Sequence, residues 1–175
     1  KLKQTFESFS IDSVMHFAAD CQVGESLENP LKYFNNNVKN SLQLAEIMME
    51  FKIKKLIFSS SAAVYGEPKK IPIPEEHPCL PVNPYGETKW IFERVLQRLH
   101  EAKKLDYISL RYFNIFGPRQ DPFSQYAAVI PNFITKMLKE ERPAIFGDGK
   151  QSRDFTYVAN VVLANILATE VPGIS

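Results

Sequence analysis

Segments patterned as strands and segments patterned as helices alternate along this chain of 175 residues, which limits its fold to a sheet wound with helices. Residues 13–19, with Val14, Met15 and Phe17, read as a buried strand. Asn29-Pro30 then caps a helix whose inner side is expected to carry Leu31, Phe34, Val38, Leu42, Ala45 and Met49. Residues 53–59 read as the next strand. A proline-rich loop, a helix over 84–102 and a strand over 107–113 follow, with Ile108, Leu110 and Tyr112 alternating against Ser109 and Arg111. This order implies right-handed parallel crossovers, hence an α/β, doubly wound parallel sheet. Beyond Gly117 the pattern predicts a loop through Ser124, a helix over 130–140 and a short strand at Ala144-Ile145-Phe146. A turn at Gly147-Asp148-Gly149 and a helix over 157–169 complete it.

A hydrophobic content of 45% with 23% charged residues is enough for one sizeable core and excludes disorder as the main state. The net charge of +1 gives no electrostatic reason to expect nucleic acid or an anionic membrane as partner. No apolar run reaches the ~20 residues of a membrane span, and no signal-peptide pattern opens the chain. Cys21 and Cys79 lack metal-ligand spacing and are expected as free thiols, so the default compartment is the cytoplasm. No metal site is expected.

The chemistry concentrates in residues 56–89, where an apolar strand runs into Ser59-Ser60-Ser61 and a helix opens with Tyr85-Gly86-Glu87-Thr88-Lys89. Four residues apart, Tyr85 and Lys89 share a helical face, and a cation near a phenol is expected to favour the phenolate. Asn83 as N-cap, Pro84 at the first position and the apolar residues Ile91, Phe92, Val95, Leu96 and Leu99 support that helix. Tyr65 and Lys69 have the same spacing, but Pro68 between them argues for loop. In open parallel sheets ligands bind beyond the carboxyl ends of the strands, where Phe17-Ala18-Ala19, Ser59-Ser60-Ser61 and Tyr112-Phe113-Asn114 fall. His16, inside a strand, reads as a structural histidine. With 7 glycines there is no Gly-x-Gly-x-x-Gly or other glycine-rich phosphate cradle.

The runs Val14 to Ala19, Val23-Gly24-Glu25-Ser26, Asn36-Asn37-Val38, Ser59 to Gly66, Pro84 to Lys89, Leu110 to Asn114 and Arg153-Asp154-Phe155 carry a resemblance in matching order. Together they resemble the extended short-chain dehydrogenase/reductase family, and within it the nucleotide-sugar 4-epimerases of the UDP-glucose and UDP-N-acetylglucosamine type. Gly117 to Pro122 and Tyr126 to Pro131 lean toward the N-acetylhexosamine branch. The resemblance implies a Rossmann-type domain incomplete at its N-terminus (residues 1–117, lacking the first βαβ unit). Residues 118–175 would then be part of a small C-terminal substrate-binding lobe with a returning Rossmann helix. The chain is accordingly expected to be an internal piece of a longer protein.

The same resemblance implies NAD as cofactor, a UDP-sugar as substrate and inversion at C4 through a 4-keto sugar. It makes Tyr85 the base, Ser61 a partner in the proton's path and Lys89 a ligand of the nicotinamide ribose that lowers the Tyr85 pKa. Phe17, Ala18, Ala19, Asn36, Ser59 and Tyr112 are implied along the cofactor. Ser61, Asn114, Ala128, Val129, Ala144, Phe146 and Arg153 are implied around the substrate, with Arg153 on the diphosphate. Cys21 stands where many relatives carry Lys. Relatives that are 4,6-dehydratases carry Thr-Asp-Glu after the serine run, and here Ser61-Ala62-Ala63 removes both carboxyl groups, against elimination chemistry. A UDP-glucuronate decarboxylase is disfavoured for lack of its Glu, and a non-catalytic NAD-binding protein of the same fold is the other alternative. The helices beginning near Asn29 and Asn83 imply a homodimer.

Overall fold

The computed structural model describes residues 1–121, 129–145 and 147–171. They divide into two compact units: Lys1–Arg111 with the end of the last helix from Asn165, and Tyr112–Ala164. In the first unit, strands β1 (Ser13–His16), β2 (Lys55–Ser61) and β3 (Asp106–Tyr112) lie in the order β1-β2-β3. β1 and β2 pair in parallel with Val14 opposite Leu56 and His16 opposite Phe58. A parallel pair needs a long crossover, and helices α2 (Val23–Glu28), α3 (Pro30–Tyr33) and α4 (Asn40–Glu50) fill it. A short helix α1 (Leu2–Ser8) precedes β1 and places Phe6 in the core. Neither α1 nor α2 shows a periodicity long enough to be foreseen.

The core of this unit is built from Leu44 and Met48 of α4, Leu56 and Phe58 of β2, and Phe92 and Leu96 of α5 (Pro84–Glu101). Side chains alternate across a strand, so Leu56 and Phe58 face these helices while Ile57, also buried, faces the other way. Both faces of β2 are therefore covered, as a doubly wound sheet requires. Phe58 and Phe92 meet edge to face with ring centroids 4.9 Å apart. Among the described residues, no helix is long and apolar enough to cross a membrane.

Between α3 and α4 the chain winds as a π-helix over Phe34–Lys39. That insertion turns the following helix by a residue, and the expected inner stripe is corrected accordingly. Tyr33, Asn37, Ser41, Leu44, Ala45 and Met48 point inward, while Leu31 is 75% exposed and Leu42 also faces solvent. Strand β1 stops at His16, three residues short of the expected end. The following loop leaves the sheet because Asn37 takes over its hydrogen bonds, accepting from Asp20 N at 2.8 Å and donating to Asp20 O at 2.9 Å.

In the second unit, β4 (Asn114–Phe116) pairs in parallel with β5 (Phe155–Tyr157), a pairing the sequence pattern does not reveal. Helix α6 (Val129–Leu138) forms as predicted, and α7 (Val158–Glu170) begins here and ends in the first unit. The strand expected over 144–146 is not formed: Ala144 and Ile145 have no regular structure, and Phe146 lies outside the described residues. Gly147 and Gly149 adopt positive φ in the expected turn, closed by Lys150 N donating to Asp148 Oδ1 at 3.0 Å.

Candidate functional site

Helix α5 starts as its sequence dictates. Asn83 caps it by accepting from Gly86 N at 2.8 Å, and Pro84 occupies the first helical position. Its first turn rests on the short 3₁₀ turn Ala62–Tyr65 that follows β2. A Cβ on Gly86 would stand 2.6 Å from the Ala63 carbonyl oxygen, so only glycine permits this approach. The contact sets the Tyr85 hydroxyl beside Ser61, which favours the ionised phenol. One turn on, the buried Lys89 donates Nζ to the Ser59 carbonyl at 2.7 Å. Its ammonium lies 4.9 Å from the Phe58 ring centroid and 5.8 Å from that of Tyr85. Tyr85, Lys89, Ser59 and Ser61 are thus gathered at the carboxyl end of β2.

Burial pushes the Tyr85 phenol above its ordinary value, and Ser61 only partly offsets this. Burial likewise pulls the Lys89 ammonium down, to about 8, which leaves it charged at neutral pH. Desolvation is the largest influence on both groups. Cys21, exposed in the loop after β1, acts electrostatically on both groups.

The loop after β1 is fixed by Asn37, a buried amide that sequence reasoning left without a role. Besides Asp20, its Nδ2 reaches Thr88 Oγ1 at 3.2 Å, and Thr88 Oγ1 donates to Tyr85 O at 2.7 Å. Ser41 Oγ donates to Asn37 O at 2.6 Å, and His16 Nε2 lies 2.7 Å from the same hydroxyl. His16 is held at about 4 by burial and by the nearby Lys89 charge, as befits a structural histidine. The run Asn35-Asn36-Asn37 was the available signal for Asn37. Asn36 is half-buried, with Oδ1 accepting from Asn40 Nδ2 at 3.1 Å. Phe17 is 54% exposed, Ala18 is exposed and Ala19 half-buried, leaving small residues and an open aromatic ring at the end of β1.

Of the other predicted residues, Tyr112 ends β3 and Asn114 starts β4. Asn114 donates both its backbone N and its Nδ2 to Asp154 O, at 3.2 and 2.9 Å. Val129, Ala144 and Arg153 line one cavity of about 310 Å³ in the second unit, together with Phe133, Ile145 and Phe155. Ala128 and Phe146 lie outside the described residues. The rival pair is dissolved: Tyr65 is buried and accepts from Arg111 Nη1 at 3.0 Å, and Gly66 ends its turn with φ +66°. Ala62 and Ala63 occupy the turn after Ser61, which therefore carries no carboxyl group. Among the described residues, no group of His, Cys, Asp and Glu is placed to hold a metal ion.

The chain is similar to the UDP-glucose 4-epimerase of Halalkalibacterium halodurans, 43% identical over 183 residues that cover 97% of this chain and 54% of that protein. In structure it is similar to the UDP-N-acetylglucosamine 4-epimerase from Methanobrevibacter ruminantium in complex with UDP-N-acetylmuramic acid. The TM-score is 0.91 at 48% identity, over 97% of this chain and 54% of that one. It is also similar to the UDP-glucose 4-epimerase of Thermotoga maritima with UDP-glucose, with a TM-score of 0.91 at 39% identity, over 97% and 55% of the two chains. The chain spans about half the length of the curated relatives it matches. The family model described as NAD dependent epimerase/dehydratase matches residues 1–173, and the chain belongs to that family.

Proposed function

We propose that the protein containing this chain is an NAD-dependent epimerase that inverts C4 of a UDP-hexose or UDP-N-acetylhexosamine. The observation that carries this reading is the Tyr85 phenol beside Ser61 and a buried ammonium, at the carboxyl end of a parallel strand. The residues fit the cofactor: Lys89 has three donors, and one of them is taken by the Ser59 carbonyl. The others suit ribose hydroxyls, while Phe17, Ala18 and Ala19 leave room for a flat ring system, with Asn36 and Ser59 in the same unit. When bound, NAD supplies a hydride acceptor and a positive charge.

With the Lys89 ammonium and the positive charge of a bound NAD favouring its phenolate against the effect of burial, Tyr85 takes the proton of the sugar's 4-hydroxyl and returns it to the same oxygen after the ring has turned over. Ser61 holds that oxygen and the phenol in one hydrogen-bonded line. Epimerisation needs one proton acceptor and no second acid, and a turn bearing Ala62 and Ala63 meets that requirement. In the second unit, the Arg153 guanidinium suits a diphosphate and the apolar walls of Val129 and Ala144 suit a uracil ring, with Asn114 nearby on β4. The Thermotoga maritima enzyme was solved with UDP-glucose and the Methanobrevibacter ruminantium enzyme with a UDP-N-acetylamino sugar, which supports a UDP-linked ligand.

The thiols of Cys21 and Cys79 are free, which supports a reducing, cytoplasmic setting. Ile91, Val95 and Leu99 form an open apolar face on α5, which supports a homodimer. In the full-length protein, UDP-N-acetylglucosamine and UDP-glucose incubated with NAD are expected to yield their C4 epimers, followed by proton NMR. Tyr85→Phe is expected to lower the rate about 10²-fold or more. A Tyr85→Phe protein as active as the parent removes the assignment.

A further inference from the structure

Tyr85 and Lys89 account for two of three side chains that α5 extends, at four-residue spacing, toward the serine run. The third is Glu93, 5% exposed, whose Oε1 accepts from Ser60 Oγ. The result is a ladder in which Tyr85 meets Ser61, Lys89 meets the Ser59 carbonyl and Glu93 meets Ser60. Arg111 of β3 closes it from behind, with Nε at 3.1 and 3.2 Å from the two Glu93 oxygens and Nη2 at 2.7 Å from Oε2. The remaining Arg111 nitrogen donates to Tyr65 OH and to Glu75 O, at 3.0 and 3.3 Å. One carboxylate therefore ties α5 to β2, to β3 and, through Arg111, to the turn after β2.

A buried ion pair contributes little net stability compared with an apolar pair of the same volume, so stability alone does not account for this arrangement. We propose that Glu93 is a positioning residue for Lys89: clamped by Ser60 and Arg111 one helical turn away, its carboxylate holds α5 in register with the serine run and balances the buried ammonium. The assignment of a role to Lys89 in turnover rests on the epimerase reading, whereas the clamp itself does not.

Several charged or titratable groups face Lys89 from the surrounding elements: His16 from β1, Cys21 from the loop after β1, and Tyr85 and Glu93 from α5. Arg111 of β3 stands behind Glu93. Burial works against the Lys89 charge, while Cys21 and then Glu93 favour it. His16, held near 4, is neutral at working pH. Neutralising Glu93 removes a favourable charge and leaves the Arg111 cation uncompensated, so both changes act against Lys89 in the same direction.

The test is Glu93→Gln in the full-length protein, with Lys89 followed by NMR of ε-¹³C-labelled lysine, assigned by Lys89→Met, and with the pH profile of epimerisation measured alongside. The expected result is a Lys89 titration, and an alkaline limb of kcat/KM, displaced downward by about half a pH unit or more. Glu93→Asp, which keeps the charge, is expected to restore most of the displacement. A Lys89 titration in Glu93→Gln equal to that of the parent overturns the proposal, even if stability falls. If Glu93→Gln does not fold, Glu93→Gln with Arg111→Met removes both charges; the proposal then requires a downward displacement smaller than half a unit, and an upward one overturns it. Absence of epimerisation in the parent protein would count against the epimerase reading alone, since the NMR titration does not depend on turnover.

Discussion

His16 illustrates how a single buried side chain couples the site to pH. Its imidazole sits against Phe58 and Phe92, with ring centroids 6.0 and 6.1 Å away, and burial holds it at about 4, well below its ordinary 6.5. Between those two values the unfolded chain binds a proton that the folded chain refuses. Stability is then complete above pH 6.5 and is lost as pH falls toward 4, by about 3 kcal/mol for this group. Urea unfolding at pH 7 and pH 4 is expected to show that loss, and His16→Asn is expected to remove most of the His-dependent part. An equal loss in the variant would mean that other groups carry the acid sensitivity. Lys89 acts in a higher range: it is lowered to about 8, so the cost of burying its charge is relieved between pH 8 and its ordinary 10.5. Neutral pH thus finds His16 uncharged and Lys89 charged, which keeps two neighbouring cations from coexisting in the core.

The contact of α5 with the 3₁₀ turn decides where Tyr85 stands, and Gly86 sets its closeness. Alanine in a helix interior is worth about 1 kcal/mol over glycine, yet here the added carbon would stand 2.6 Å from Ala63 O and 3.2 Å from Pro81 Cβ. Backbone must move, and the segment that moves carries Tyr85 on one side and Ser61 on the other. Gly86→Ala is expected to lower both the melting temperature and kcat of the full-length protein; a variant with a raised melting temperature and unchanged kcat would contradict this. Helix α5 was legible in the sequence because its cap, its proline and its apolar spacing agree. The helix after Asn29 was legible in existence but not in its inner face. A π-helix inserts a residue that no 3.6-residue period anticipates, and the residues it turns inward include Asn37 and Ser41, polar side chains invisible to a hydrophobic pattern. The three-residue strands β4 and β5, about 40 positions apart, are too short for alternation to signal them. Tyr85 and Lys89 were legible as a pair, whereas their pKa directions were not, since burial is a property of the packed fold.

Across the whole molecule the candidate residues divide between two units. Tyr85, Lys89, Ser59, Ser61, Asn36 and the end of β1 belong to the first, while Val129, Ala144, Arg153 and Asn114 belong to the second. If the first holds the cofactor and the second the nucleotide portion of the substrate, the two affinities should separate under mutation. Arg153→Leu removes a charged donor whose hydrogen bond to a phosphate is worth about 1.5–3 kcal/mol, or roughly 10- to 100-fold in binding. Calorimetry of the full-length protein is expected to show UDP weakened by that factor and NAD unchanged. Lys89→Met keeps the buried stem but loses the donor, and the converse is expected: weaker NAD, unchanged UDP. Both variants are expected to keep the fold, because Arg153 is exposed, with its guanidinium donating to the Ser152 carbonyl at 2.8 Å, while a methionine fills the Lys89 channel against Phe58. If each variant weakened both ligands alike, the two units would not be separate binding modules, and the assignment of cofactor to one and nucleotide to the other would fail.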